Sequence, residues 1–165
     1  KGKIIAWFQH KSEFGPRALG ARSFLADPRN DNIQKELNKK IKKRELFRPF
    51  APSVTLEKSS KYFKINQDSP YMNIVGDVKT SSIPAVTHIN GTSRIHTVRK
   101  NINEKYFNLL VEFEKKTGVP VLLNTSLNIQ EPIVYSPHDV LKTFLNSEAD
   151  ILVVDKFILK RENFG

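Results

Sequence analysis

Patterns for buried strands and for amphipathic helices take turns along this chain, and that alternation constrains the fold more than any other feature. Lys3 to Gln9 reads as a buried strand. Lys11 to Asn30 reads as a long loop, punctuated by Gly15, Pro16, Gly20 and Pro28. Asn32 to Lys42 reads as a helix, because Ile33, Leu37 and Ile41 fall four apart on one face, with Asp31 at the N-cap position. Tyr71 to Val78 and Arg94 to Val98 have strand character, and Asn90-Gly91 between Ile83–Ile89 and Arg94–Val98 is a hairpin signal. Lys105 to Thr117 is the clearest helix, with Tyr106, Leu109, Leu110 and Phe113 on its apolar face and Gly118 as its C-cap. Val119 to Leu123 is a buried strand. Ser136-Pro137-His138-Asp139 starts a helix that carries Val140, Leu141, Phe144 and Leu145 inward, and Ile151 to Leu159 is a final strand. The expected class is α/β, a mixed sheet with helices packed on it. At 165 residues the chain suits a single domain over 1–165. A chain of this length buries roughly 70% of the surface its unfolded form exposes, so a core needs no staples.

Several classes fall away at once. There are no cysteines, which removes a disulfide framework, a thiolate zinc site, a cysteine nucleophile and an iron–sulfur cluster. A cysteine-free chain fits a reducing cytosol, so a cytoplasmic location is expected. Apolar runs such as Val119-Pro120-Val121-Leu122-Leu123 are far short of the roughly 18 residues that span a bilayer. Trp7 and Phe8 are followed at once by polar residues, unlike a signal peptide. The chain opens without methionine and runs straight into strand pattern, so it is expected to be one domain of a longer polypeptide. Lys and Arg number 27 against 17 Asp and Glu, a net charge of +10. That balance favours anionic partners such as nucleotides, phosphorylated metabolites or nucleic acid, beside the plainer reading of a solvated lysine-rich surface.

The common catalytic motifs fail. Gly15-Pro16-Arg17-Ala18-Leu19-Gly20 has P-loop glycine spacing, but Ala21-Arg22 follows where Lys-Ser/Thr should, and Pro16 has no N–H for a phosphate. No nucleophile elbow, zinc-protease helix or dinucleotide fingerprint is present. Of His10, His88, His96 and His138, His88 and His96 are the pair placed to meet, across the Asn90-Gly91 turn, and ordinary hydrogen-bonded histidines are favoured over a metal. What remains is basic. Lys39, Lys40, Lys42, Lys43, Arg44 and Arg48 cluster within ten residues. A lysine-rich helix end complements a helix dipole, which accounts for Lys42 and Lys43 but poorly for Arg48. Phe47, Pro49, Phe50 and Pro52 form a rigid apolar frame expected to hold the Arg48 guanidinium for a phosphate or carboxylate. Asn124-Thr125-Ser126-Leu127-Asn128 follows a buried strand, where open α/β sheets place ligands, although a polar turn would read the same way. Ser126 and Asn128, two apart, can point the same way and donate to phosphate oxygens. Arg94 can reach the same cleft, and Arg17 and Arg22 lie in the N-terminal glycine-containing loop.

These residues resemble a known family. Ser12-Glu13-Phe14-Gly15-Pro16-Arg17-Ala18-Leu19-Gly20-Ala21-Arg22-Ser23 and Ala26-Asp27-Pro28-Arg29 are similar to the start of the C-terminal domain of NodU-type O-carbamoyltransferases. The resemblance continues through Leu37-Asn38, Lys42, Arg44-Glu45 and Phe47-Arg48-Pro49-Phe50-Ala51-Pro52-Ser53-Val54. Ser69-Pro70-Tyr71-Met72, Ile83-Pro84-Ala85-Val86-Thr87-His88, Gly91-Thr92, Arg94 and Thr97-Val98 extend it. Thr117 to Ser126, Asn128 and Glu131-Pro132-Ile133-Val134 complete it, so it covers almost the whole chain. It departs at His10-Lys11, at His96, and after Asn128, where Ile129-Gln130-Glu131-Pro132 is one residue shorter than the usual pattern.

The resemblance implies a YrdC-like domain, a twisted, open, mixed sheet with a basic concave face. It implies that the domain binds ATP, with Mg²⁺, and carbamoyl phosphate as co-substrate. Carbamoyl phosphate is split to carbamate and phosphate, and carbamate attacks the α-phosphate of ATP to give carbamoyl adenylate and pyrophosphate. An N-terminal, ASKHA-like domain of the same polypeptide then moves the carbamoyl group to an acceptor hydroxyl. Carried onto this sequence, Lys42, Arg48 and Arg94 are the implied catalytic cations, and Ser126, Asn128, Asn124 and Arg17 join them in binding substrate and ATP. Two other readings are a basic RNA-binding YrdC-like module and a non-catalytic docking domain. The phenylalanines sit mostly at core-like or proline-framed positions, which argues against the aromatic platforms of single-strand binders and for a small anion.

Overall fold

The computed structural model describes residues 2–163. The strands are β1 (Ile5–Phe8), β2 (Arg22–Ala26), β3 (Ala51–Thr55), β4 (Phe63–Lys64), β5 (Ile74–Val78), β6 (Thr92–Val98), β7 (Val121–Ser126), β8 (Ile151–Val154) and β9 (Phe157–Lys160). They form one mixed sheet in the order β4-β5-β6-β3-β7-β2-β1-β8-β9. The β1–β8 and β3–β6 pairs are parallel and the other pairs antiparallel. Helices α1 (Asn32–Glu36), α2 (Leu56–Tyr62), α3 (Glu104–Thr117) and α4 (Pro137–Asn146) pack around it, and α1 runs on as a π-helical segment over Leu37–Lys42. None of the described helices is long and apolar enough to cross a membrane.

The central strands are buried on both faces, and neighbouring residues on one strand feed opposite layers. Phe24 and Leu123 join a large core with Ile33, Leu37, Ile41, Val140 and Phe144. Their neighbours Leu25 and Leu122 join a second core under α3, with Val98, Tyr106 and Leu110. Gly20, at φ +95, lets the Tyr106 ring close over the chain; a Cβ there would lie 2.1 Å from the ring. The two expected helix ends are built as the sequence indicates. Gly118 caps α3 in the left-handed conformation, and Ser136 with Asp139 makes a full capping box for α4, Pro137 following at its first turn.

Elsewhere the structure corrects the reading. The stretch expected as loop over Lys11–Asn30 contains β2, a wholly buried strand between β1 and β7. A strand covered on both faces has no apolar–polar alternation to announce it. Asp31 makes no side-chain cap bond, and the expected helix changes to π geometry after Glu36. Ile83–Ile89 is not a strand: Pro84–Val86 forms a 3-10 turn, and β6 pairs instead with β5. Asn90-Gly91 still makes the tight turn that starts β6, with the Gly91 N–H on the His88 carbonyl at 2.9 Å. Leu141 and Leu145 are exposed at 41% and 57%, leaving Val140 and Phe144 to anchor α4. Ile151–Leu159 breaks into β8 and β9 at Asp155, whose φ is +50.

One split in the sheet positions everything that follows. β3 pairs with β7 from Ala51 to Val54, but with β6 only from Ser53 to Thr55. Pro52, which has no N–H to give to a ladder, immediately precedes Ser53, where the β3–β6 pairing begins. The first half of β6, Thr92 to Ile95, pairs with β5 instead. The sheet therefore opens between Ala51-Pro52 and Arg94-Ile95.

Beyond the split, a buried polar chain crosses the strands. Asn124 Nδ2 donates to the Ala18 carbonyl at 3.0 Å and to Ser53 Oγ at 2.9 Å. Ser53 Oγ in turn lies 2.8 Å from His96 Nδ1. His96 also stacks on Tyr106, the ring centroids 6.2 Å apart. Burial pushes the His96 pKa from 6.5 down to about 4. Between those values the unfolded chain binds a proton that the folded chain does not, so stability falls as pH drops through the window. The loss expected from this one residue between pH 6.5 and 4 is roughly 3 kcal/mol. Urea unfolding at pH 7 and pH 4.5 should show it, and a His96→Leu variant should have a correspondingly shallower acid slope. An unchanged slope would mean that His96 is protonated in the native state.

Candidate active site

The split opens into a cavity of about 390 Å³, toward the small end of the roughly 300–1,000 Å³ typical of small-molecule sites. Four arginines line it: Arg17 from the loop before β2, Arg44 and Arg48 from the loop before β3, and Arg94 from β6. His88, Asn124, Thr125 and Ser126 add polar groups, and Phe50, Met72 and Val75 add apolar wall. No carboxylate is among its lining residues.

Each arginine is carried by a local device. The Arg17 loop is gathered by Glu13, whose Oε1 accepts the backbone N–H groups of Leu19 at 2.7 Å, Ala21 at 2.6 Å and Arg22 at 3.1 Å. Arg22 closes the loop from behind, its guanidinium 3.6 Å from the Phe8 ring centroid and donating to the Gln9 and His10 carbonyls. Arg44 follows the π-helical segment, which ends where Lys43 turns left-handed at φ +48. Its Nε donates to Asn38 Oδ1 at 2.7 Å and its guanidinium stacks 4.9 Å from the Phe50 ring centroid. The apolar frame therefore holds Arg44, not Arg48 as expected. Phe47 is exposed, and the Arg48 side chain is half exposed beside Glu45 at 3.8 Å. Arg94 is set by strand geometry, and its buried Nε has no hydrogen-bond partner.

Lys42 stands apart. It is 4% exposed and absent from the cavity lining. Its Nζ donates to the Ser126 carbonyl at 2.6 Å, the Asn128 carbonyl at 2.8 Å and Asn128 Oδ1 at 2.9 Å, with Ser126 Oγ at 3.2 Å. Ser126 Oγ lies 2.7 Å from Asn128 Oδ1, and Asn128 Nδ2 donates to the Glu131 carbonyl at 2.6 Å. Lys42 therefore ties down the turn after β7, and Ser126 and Asn128 point at each other. Of the expected site residues, the structure gathers Arg17, Arg48, Arg94, Asn124 and Ser126 around one cavity. Lys42 and Asn128 lie behind its wall. The cavity also takes Arg44 and His88, which the sequence singles out without assigning them to this site, and Glu13 stands behind its loop. Arg44 was visible as a member of the basic cluster, whereas Glu13, six to nine residues from its three partners, carries no local signature.

The crowding of cations is electrostatically unfavourable. Burial and then the Arg17 charge lower the Arg94 pKa; burial and then Arg48 lower that of Arg44. Burial and then Arg94 hold His88 below its ordinary value. A bound anion would relieve all three. His88 and His96, considered together in the sequence, have different partners: His88 Nδ1 lies 3.0 Å from Thr92 Oγ1. Among the described residues, no three His, Cys, Asp or Glu side chains gather as a metal site.

Two expected outcomes follow from these contacts. Glu13→Ala should cost about 2 kcal/mol or more in urea unfolding, since three donors lose one charged acceptor, and should weaken anion binding through Arg17. Burial and Arg44 push the Lys42 pKa from 10.5 down to about 7, with Glu131 acting against them. An anion in the cavity would raise that pKa, so binding takes up a proton and affinity falls as pH rises above about 7. Titration with sulfate, which stays fully ionised from pH 6 to 9, should show this decline in the native chain and lose it in Lys42→Met. A pH-independent affinity in the native chain would refute it.

Comparison with known proteins places this chain in a family. The model for "Carbamoyltransferase C-terminus" matches residues 1–161. Nodulation protein NolNO of Sinorhizobium fredii is 48% identical over 97% of this chain, and nodulation protein NolO of Bradyrhizobium diazoefficiens is 44% identical over 97%. A 3'-hydroxymethylcephem-O-carbamoyltransferase of Amycolatopsis lactamdurans is 44% identical over 77%. This chain covers 25%, 30% and 24% of those three proteins, so it spans less than a third of their length. The crystal structure of full-length HypF in its phosphate- and nucleotide-bound form superposes with a TM-score of 0.63 over 94% of this chain and 23% of HypF, at 16% identity. That likeness concerns the fold, and the YrdC-like mixed sheet expected from the sequence is the one observed. The chain belongs to the carbamoyltransferase C-terminus family.

Proposed function

We propose that this domain binds carbamoyl phosphate and ATP in the arginine-lined cavity and joins them as carbamoyl adenylate with release of pyrophosphate. The observation that carries the reading is four arginines around about 390 Å³ with no carboxylate among the lining residues. Such a surface suits ligands with several phosphate charges, confined rather than spread along a groove, and so favours small anions over RNA. In this reading water attacks carbamoyl phosphate, the bond between its carbamoyl and phosphoryl groups breaks, and carbamate and inorganic phosphate result. A carbamate oxygen then attacks the α-phosphorus of ATP, the bond to the β-phosphate oxygen breaks, and pyrophosphate leaves.

Catalysis of this kind needs positioned positive charge more than covalent help. Arg48 and Arg44 would hold carbamoyl phosphate and the departing phosphate. Arg94 and Arg17 would face the charge developing around the α-phosphate. Ser126 and Asn124 would line the far wall, with Lys42 and Asn128 keeping Ser126 in place. The lining does not fit a dedicated magnesium cage, since it holds no carboxylate; magnesium would sit on the oxygens of the nucleotide itself. Transfer to an acceptor hydroxyl is assigned to another domain of a longer polypeptide, consistent with relatives three to four times this length.

The test is pyrophosphate release from magnesium ATP by this chain, with and without carbamoyl phosphate. Release should require carbamoyl phosphate and fall about 100-fold or more in Arg94→Ala, the loss typical of one donor at developing charge. Release without carbamoyl phosphate, or binding of both ligands with no release, would count against the adenylate step.

A further inference from the structure

We infer that Asn38 is a positioning residue that organises both arginines of the 44–48 loop toward the cavity. The inference rests on reading the cavity as an anion site, and adds the residue that builds one of its walls. Asn38 is 0% exposed, within the π-helical segment. An asparagine is a poor choice for a buried helix interior unless its amide is fully used. Here it is. Oδ1 accepts the Arg44 Nε–H at 2.7 Å. Nδ2 donates to the Leu46 carbonyl at 3.2 Å and the Arg48 carbonyl at 2.8 Å.

The backbone of the same residue completes the arrangement. Its carbonyl accepts the Lys43 N–H, closing the π turn, and the Arg44 N–H at 3.1 Å. One residue thus fixes the chain at 43, 44, 46 and 48, and fixes one guanidinium as well. The direction of the amide is set by its partners. Leu46 and Arg48 offer only carbonyl oxygens, so Nδ2 must face them and Oδ1 is left for Arg44. Gln34 supports the same edge, with Nε2 on the Arg48 carbonyl at 3.1 Å. Asn38 touches no cavity surface itself and acts only through the loop.

The first readout needs no ligand. In the nitrogen–proton NMR spectrum of this chain, the Arg44 Nε–H should exchange with solvent about tenfold more slowly than that of half-exposed Arg48, because it is hydrogen-bonded. Equal exchange in the native chain would overturn the inference without any variant. Asn38→Ala should abolish the Arg44 protection. Asn38→Asp, which keeps an acceptor for Arg44 but loses both amide donors, should restore it. Protection that survives in Asn38→Ala would also overturn the inference.

The second readout is affinity for inorganic pyrophosphate. Asn38→Ala should weaken it about tenfold in the native background and less than about threefold in Arg44→Ala, as coupled sites require. Equal effects in both backgrounds would show that Asn38 does not act through Arg44. If native protein binds no pyrophosphate, the anion-site reading fails, while the exchange measurement still decides whether Asn38 orders the loop.

Discussion

The site depends on a break in the pairing of β3 with β6, beside Pro52. Pro52 sits in a strand flanked on both sides, a place where proline is ordinarily excluded because it breaks a ladder. Here the interruption is what the molecule uses. β3 keeps its antiparallel partner β7 from Ala51 to Val54 and joins β6 only after the proline. The early part of β6 is thereby free to lean toward β5, and Arg94 comes with it to the edge of an opening. The loop ahead of Pro52 supplies Arg44 and Arg48, and the end of β7 supplies Asn124 to Ser126. A continuous β3–β6 ladder would have closed the place where these three segments meet.

Charge at that opening is balanced from outside it. The lining has arginines and no acids, yet carboxylates stand a layer back. Glu13 is committed to backbone N–H groups, Glu131 to Thr143 Oγ1 at 2.7 Å, and Glu45 lies on the solvent side of Arg48. These acids shape the loops that present the cations without neutralising the cavity itself. The same division separates Lys42 from the arginines. A buried ammonium surrounded by acceptors orders a turn, whereas guanidiniums stacked on rings or held by one amide keep free N–H groups for a ligand.

Legibility in the sequence followed the range of the interactions. Features set by neighbours in the chain were readable, such as Gly118 ending α3, the Ser136–Asp139 box, and the apolar positions Ile33, Leu37 and Ile41. Features set across the sheet were not. β2 has no periodicity because both its faces are covered. The Ile151–Leu159 run hid a turn at Asp155, which no glycine marked. Arg48 stood out because of the prolines and phenylalanines around it, but Phe50 faces Arg44, a choice that only the path of the loop decides. Lys42 was recognised as part of the basic group, while its burial against the Ser126–Asn128 turn depends on contacts more than 80 residues away in the chain. The segments that carry the family resemblance bring Arg17, Arg48, Arg94, Asn124 and Ser126 around one cavity, whereas Lys42 and Asn128 are set behind it by contacts remote in the chain.

The π-helical segment carries one more consequence. A helix advances about 100° per residue, so the added residue in a π turn resets the facing of everything after it. If Leu37–Lys42 wound as an ordinary α-helix with its sequence unchanged, each later side chain would face further round the axis. Lys42 would then swing away from the β7 turn, and the arginine loop would leave the helix at another angle. The widened turn therefore works as a spacer that sets phase, joining a helix that belongs to the core with a loop that belongs to the cavity.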